Sequence, residues 1–247
     1  MTFCLSMRVK EGVIGVADTR ITSGTEYITA RKITIRQISE NNSYFLMTSG
    51  LRSVRDKAIT YYDEIIDEIE PNSNKLYKIV NAFASQVRRV AEEDKVALQE
   101  SGYMFNLSTL IAGQLNEDKE PKVYLLYPQG NWVEISYSTP YFIIGNSGHG
   151  KPLLDRVLKY ESTMEFALKA GILAFDATRI SSNDVGYPID VALFLKDSHK
   201  IIYHRFERDD LNQLTNLWHD KISEAIDNLP EDWINVVLDK LKPIHSQ

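Results

Sequence analysis

Phe3-Cys4-Leu5-Ser6-Met7-Arg8-Val9 and Gly12-Val13-Ile14-Gly15-Val16-Ala17, with Lys10-Glu11 between them, read as two strands joined by a tight turn. Downstream, β-rich runs at 33–38 and 43–48 are split by the turn-like Asn41-Asn42-Ser43. The period then changes. Val54, Ala58, Tyr61, Tyr62, Ile65, Ile66 and Ile69 recur at helical spacing and stop at Pro71. Leu76, Ile79, Val80, Phe83, Ala84, Val87 and Val90 predict a second helix, running to about Ser101. Strands are predicted at 107–115, 122–127, 131–137 and 141–144, then helices at 152–160 and 163–180, then strands at 188–195 and 200–206. Two further helices, 208–226 and 230–241, follow, the second opened by Pro230 at a favoured first-turn position. Helices thus come in sequential pairs between groups of strands. That order argues against a doubly wound parallel sheet and for stacked, mainly antiparallel sheets covered by helix pairs, an α+β class. No linker or repeat interrupts the 247 residues, so one domain, 1–247, is expected, with a helical extension from about 207.

Composition narrows the function. Twenty-eight Lys and Arg against 34 Asp and Glu give a net charge of −6, and no basic block stands out. A nucleic-acid partner is therefore not expected. Single Cys4 excludes an intramolecular disulfide framework and suits a reducing compartment. Histidines 149, 199, 204, 219 and 245 show no zinc spacing. No apolar run approaches a membrane span, and Arg8, Lys10 and Glu11 break any signal-like segment, so a cytoplasmic protein without membrane partner is expected.

Chemistry gathers at the start of the chain. Initiator methionine is commonly removed before a residue as small as Thr2, which would free an α-amine beside the Thr2 hydroxyl. With an ordinary α-amino pKa of about 7.7–8.0, nucleophile and base would then share one residue. Asp18 ends the second strand and Lys32 opens the third, and a hairpin neighbour of the first strand can bring both beneath Thr2. A lysine there favours the alkoxide, and an aspartate holds it charged and oriented. Cys4, next in line, is expected on the opposite strand face as a small core residue.

Four segments then carry a resemblance. Thr2-Phe3-Cys4-Leu5, Gly15-Val16-Ala17-Asp18-Thr19-Arg20, Arg31-Lys32-Ile33 and Met47-Thr48-Ser49-Gly50 resemble a proteasome β-subunit, and most closely the bacterial ancestral β-subunit group, Anbu. Asp176-Ala177-Thr178 with Ser181-Ser182-Asn183-Asp184-Val185-Gly186-Tyr187-Pro188 is similar to that group's late segment. The resemblance runs from Thr2 to about residue 206. It implies the four-layer αββα sandwich of N-terminal-nucleophile hydrolases. It also implies Thr2 as nucleophile, Asp18 and Lys32 as its supporting pair, the Gly50 N–H as oxyanion donor, and Ser147 as a hydrogen-bonding serine near the α-amine. Ser181 and Asp184 align with the family's Asp and Ser in exchanged order, as a supporting network. Peptide or protein substrate, no cofactor or metal, and a homo-oligomer, either a ring or an open helical turn, are implied as well. Whether an unfoldase serves the assembly is left open.

Two rivals remain. Gly145-Asn146-Ser147-Gly148-His149-Gly150-Lys151 fits G-x-x-x-x-G-K between a strand and a helix, the pattern of a nucleotide phosphate loop. Pro152, however, stands where that loop needs a magnesium-binding Ser or Thr. The other rival is a non-catalytic assembly subunit of the same fold.

Overall fold

In the first strand pair the register sets Cys4 opposite Ala17 and Met7 opposite Ile14, so odd and even residues of one strand serve two different cores. The computed structural model describes residues 2–23, 26–39 and 42–241. The chain divides after Arg208 into two compact units.

In the first unit, β1 (Phe3–Val9), β2 (Gly12–Asp18), β10 (Tyr141–Gly145), β11 (Ile189–Leu195) and β12 (Ile201–Phe206) form an antiparallel sheet ordered β10-β1-β2-β11-β12. A second antiparallel sheet runs in sequence order through β5 (Ile33–Ser39), β6 (Asn42–Gly50), β7 (Leu107–Gln114), β8 (Lys122–Leu126) and β9 (Trp132–Glu134). Between the sheets lie Cys4, Ala17, Phe45, Met47, Leu110, Ala112 and Phe194. Helices α1 (Arg52–Ile69) and α2 (Leu76–Glu100) cover the second sheet, seating Val54, Ala58, Tyr62, Phe83 and Val87 on Tyr44, Leu46 and Ile111. Helix α4 (Met164–Ser181), with α3 (Lys151–Val157) beside it, covers the first sheet, where Phe3 meets Phe175 edge to face at 6.1 Å. The layers are thus α, β, β, α, as the order of strands and helices implied. Both faces of β1 and β2 are covered, so these strands read as continuous apolar runs rather than as alternation.

The second unit holds α5, whose span Arg208–Asp227 begins at the boundary residue, α6 (Asp232–Leu238) and a 3-10 turn at Asp239–Leu241. Helix α6 starts at Asp232 with Glu231 as its cap, so Pro230 precedes the helix rather than occupying its first turn. The strand expected over 131–137 is cut to Trp132–Glu134, because Ser136 Oγ accepts the Thr139 N–H and turns the chain before Pro140. The helix expected to 160 ends at Val157, where Ser162 Oγ takes the Lys159 N–H. One element was not expected at all: a hairpin of β3 (Arg20–Ser23) and β4 (Glu26–Thr29) between β2 and β5.

Candidate active site

Opposite β1's first residue, β2 ends on Asp18. The Phe3 N–H donates to Asp18 Oδ1 at 2.8 Å, fixing the carboxylate at the mouth of the strand pair. The β3–β4 hairpin leaves β2 and returns, closed at its base by the Ala30 N–H donating to the Thr19 carbonyl (2.8 Å). This return delivers Lys32, the residue before β5, back to β2. Lys32 Nζ donates to Asp18 Oδ1 at 2.6 Å and to the Arg20 carbonyl at 2.7 Å. Asp18 is wholly buried and Lys32 only 5% exposed. Burial pushes the Asp18 carboxyl above its ordinary value, while Lys32 and the N–H groups of Phe3 and Gly186 pull against it.

Thr2 is held from its other side. Its carbonyl accepts the Asn146 N–H at 2.7 Å, just past Gly145. Gly145 sits at φ +87°, and a Cβ there would lie 1.9 Å from the Thr2 carbonyl oxygen. Gly145→Ala should therefore both strain the backbone and displace Thr2. The expected loss is about 1–3 kcal/mol of stability, read as a fall in Tm of several degrees by calorimetry.

Gly50 ends β6 where α1 is about to begin. The Leu51 N–H donates to the Asn106 carbonyl at 2.9 Å, so in this antiparallel register Leu51 and Ser49 face β7 with their hydrogen-bonding groups. The alternation turns the Gly50 N–H the other way, toward the β5 side. There β5 has not started, since its pairing with β6 begins at Ile33 opposite Met47. That amide is aimed at open space. A cavity of about 330 Å³ fills it, walled by Thr2, Lys32, Thr48, Ser49 and Gly50, with Asn106 and Gly145 at its edges. Arg20, Ile21 and Thr22 of β3, and Arg52 and Arg55 of α1, complete the wall. A hydroxyl on Thr2, a fixed ammonium and an amide aimed at the same space form the parts of an acyl-transfer site.

Not every expected residue joins it. Ser147 lies beyond Asn146 in the loop to α3, Ser181 is the exposed last residue of α4, and Asp184 lies in the turn after it. None of the three walls the cavity. Cys4 corrects the expectation of opposite faces. Residues 2 and 4 share strand parity, and Cys4 sits between the sheets with its Sγ 3.9 Å from the Thr48 carbonyl, directly behind the site. Burial pushes its thiol up, away from the thiolate form that reacts. The phosphate-loop pattern at 145–151 also resolves differently. Its Asn146 N–H is committed to Thr2, and Lys151 Nζ reaches Asp155 Oδ1 (3.0 Å) and the Tyr141 hydroxyl (3.1 Å). It follows an antiparallel strand, unlike a nucleotide-binding loop. The sequence reading missed Arg20, Ile21, Thr22, Arg52, Arg55 and Asn106. The dipeptide Gly24-Thr25 between two β-branched runs was the available signal for the hairpin.

Among the described residues no group of three His, Cys, Asp or Glu is placed to hold a metal ion, and no helix is long and apolar enough to cross a membrane.

The architecture recurs in solved structures. The Anbu (Gly-1) mutant from Hyphomicrobium sp. strain MC1 is 26% identical, with 92% of this chain and 98% of that one covered and a TM-score of 0.85. Anbu, the ancestral β-subunit, from Yersinia bercovieri is likewise 26% identical, with 92% and 97% covered and a TM-score of 0.84. The Anbu complex of Pseudomonas aeruginosa, solved as a helical assembly, shares the fold at 24% identity, 92% and 97% coverage and a TM-score of 0.85. A comparison with curated proteins gave no match. Residues 2–193, which hold both sheets up to β11 and every wall of the cavity, match the proteasome subunit family. The chain belongs to the proteasome subunit family.

Proposed function

We propose that the chain is an N-terminal-threonine hydrolase, a threonine-type endopeptidase or amidohydrolase, active once Met1 is removed. The observation that carries this reading is the Lys32 ammonium, buried on the wall it shares with Thr2 and pinned by Asp18. The freed Thr2 amine takes the Oγ proton as Oγ adds to the substrate carbonyl. Lys32 stabilises the negative charge gathering on Oγ, and the Gly50 N–H donates to the oxyanion. The tetrahedral intermediate collapses with the C–N bond breaking, and the amine leaves with the proton held on the Thr2 ammonium. An ester on Thr2 remains. Water, deprotonated by the same amine, then cleaves that ester and releases the acid. In this reading Ser147 bonds near the α-amine, and Ser181 with Asp184 supports it from further out.

The functional domain spans 1–247, with the residues after about 207 as an extension, and acts in the cytoplasm, which suits a buried free Cys4 thiol. Identical copies assemble so that the cavity is screened from bulk protein. Leu229, Trp233, Val236 and Val237 of the second unit are 58–68% exposed, an apolar surface suited to such packing. Light scattering over a dilution series should find an oligomer; a fully active monomer at micromolar concentration overturns the assembly.

The catalytic reading is tested by treating the mature protein with a Thr-directed epoxide or β-lactone and locating the added mass. Mass on Thr2 sustains it. An unlabelled protein that still oligomerises favours the non-catalytic assembly subunit.

A further inference from the structure

The cavity's charge is not explained by the acyl-transfer chemistry alone. Beyond Lys32, it is walled by Arg52 and Arg55 of α1, with no Asp or Glu among the described residues of the wall; Arg20 also lines it, but turns its Nη1 to the Asn183 carbonyl. Arg52 and Arg55 stand three residues apart, on one face of α1's first turn. That is the positive end of the helix dipole, where cations weaken a helix, and the turn holds no acid and no side-chain cap to offset them. A local choice that works against its own helix marks a functional demand.

Among the described residues they share one counter-ion. Asp56 Oδ1 accepts from Arg55 Nε (2.8 Å) and Nη2 (2.5 Å), and its Oδ2 lies 3.4 Å from Arg52 Nε. Two guanidiniums on one carboxylate leave a net positive charge facing the cavity. The Arg55 side chain is only 17% exposed, so its charge is poorly screened and its fork is held in place. Pockets that select aliphatic or aromatic side chains are walled by apolar groups; here Ile21 is the one large apolar residue among the described residues of the wall.

We infer that this cavity selects a carboxylate side chain, glutamate or aspartate, on the residue whose carbonyl is attacked. That carbonyl rests at the Gly50 N–H, and α1's first turn begins only two residues further along the chain, which puts the adjoining side chain against Arg52 and Arg55. A carboxylate there displaces one guanidinium from Asp56 and makes charge-assisted, bidentate bonds that its amide isostere lacks. The inference rests on Thr2 being the nucleophile for its position in the substrate, but not for the binding itself.

The test uses the mature, assembled protein and two readouts. The first is hydrolysis of N-acetyl-Leu-Leu-X coumarin amides with X as Glu, Gln, Leu or Lys. Glu should exceed Gln at least tenfold in kcat/KM, the ratio should shrink as salt rises, and Arg52→Glu with Arg55→Glu should shift the preference to Lys. The second readout is calorimetric binding of N-acetyl-Leu-Leu-Glu-amide and its Gln counterpart to Thr2→Ala protein. Because both are amidated, tighter binding of the Glu peptide reports the side chain and not a chain terminus. If Glu binds tenfold tighter while Thr2 is never labelled, the acidic selectivity stands and the catalytic reading falls. If Gln binds and reacts as well as Glu, or the Glu preference survives the double reversal, the selectivity is overturned even though Thr2 labels normally.

Discussion

Protein that retains Met1 should acylate at Thr2 at least roughly 10²-fold more slowly than protein that has lost it, the range expected for removing a general base. A peptide bond to Met1 turns the Thr2 nitrogen into an amide with no basic lone pair. The Oγ proton then has no acceptor within the residue, and Lys32 Nζ is already donating to Asp18 and to the Arg20 carbonyl. The remaining parts, the Gly50 amide and the Lys32 field, would still attract an electrophile to the cavity. For that reason Met1-retaining protein should bind a reversible inhibitor while failing to form the ester. Two preparations, verified by intact mass as Met1-free and Met1-retaining, are compared for lactone adduct formation over time. Equal adduct rates would remove the α-amine from the mechanism and require another base in the cavity.

How much of this site was readable before the fold was known follows from the range of the interactions involved. Thr2, Asp18, Lys32 and Gly50 lie at or beside the ends of strands whose existence the apolar runs make plain. Two residues at the ends of neighbouring strands meet almost by construction, as the Phe3 N–H and Asp18 do at 2.8 Å. The layer order was legible for a similar reason, since paired helices between groups of strands leave few ways to cover two sheets. The β3–β4 hairpin was not legible from its apolar pattern. Its four-residue strands pair only with each other, in a separate two-stranded sheet, so they carry no core-facing alternation to detect. With the hairpin went Arg20, Ile21 and Thr22 as cavity residues. Arg52 and Arg55 were hidden differently: charged residues at a helix start read as solvated surface until the β6 register shows what that turn overlooks. Cys4 was assigned to the wrong face although the period of two places it with Thr2, which its position between the sheets makes plain.

Lys32→Ala should slow acylation by about 10²–10³-fold, the scale of losing one preorganised electrostatic partner, and it should also destabilise the protein. A strand-end position alone would suggest a harmless truncation. Burial reverses that expectation, because Asp18 has no solvent to turn to once its 2.6 Å partner is gone. Breaking such a pair from one side costs about 3–5 kcal/mol, so a low rate measured on Lys32→Ala mixes lost chemistry with lost structure. The two effects separate in a second variant. Lys32→Met with Asp18→Asn removes both charges and keeps nearly the same volume, and the Asn oxygen can still accept the Phe3 N–H. Replacing a buried ion pair by groups of similar size is often neutral or stabilising, so this double variant should recover most of the Tm lost in Lys32→Ala. Its acylation rate should stay at the low level, because no cation then faces the Thr2 alkoxide. Thermal unfolding and lactone labelling on the same preparations decide the matter. Recovery of both stability and rate in the uncharged double variant would mean that the pair serves the fold alone, and that Thr2 is activated without Lys32.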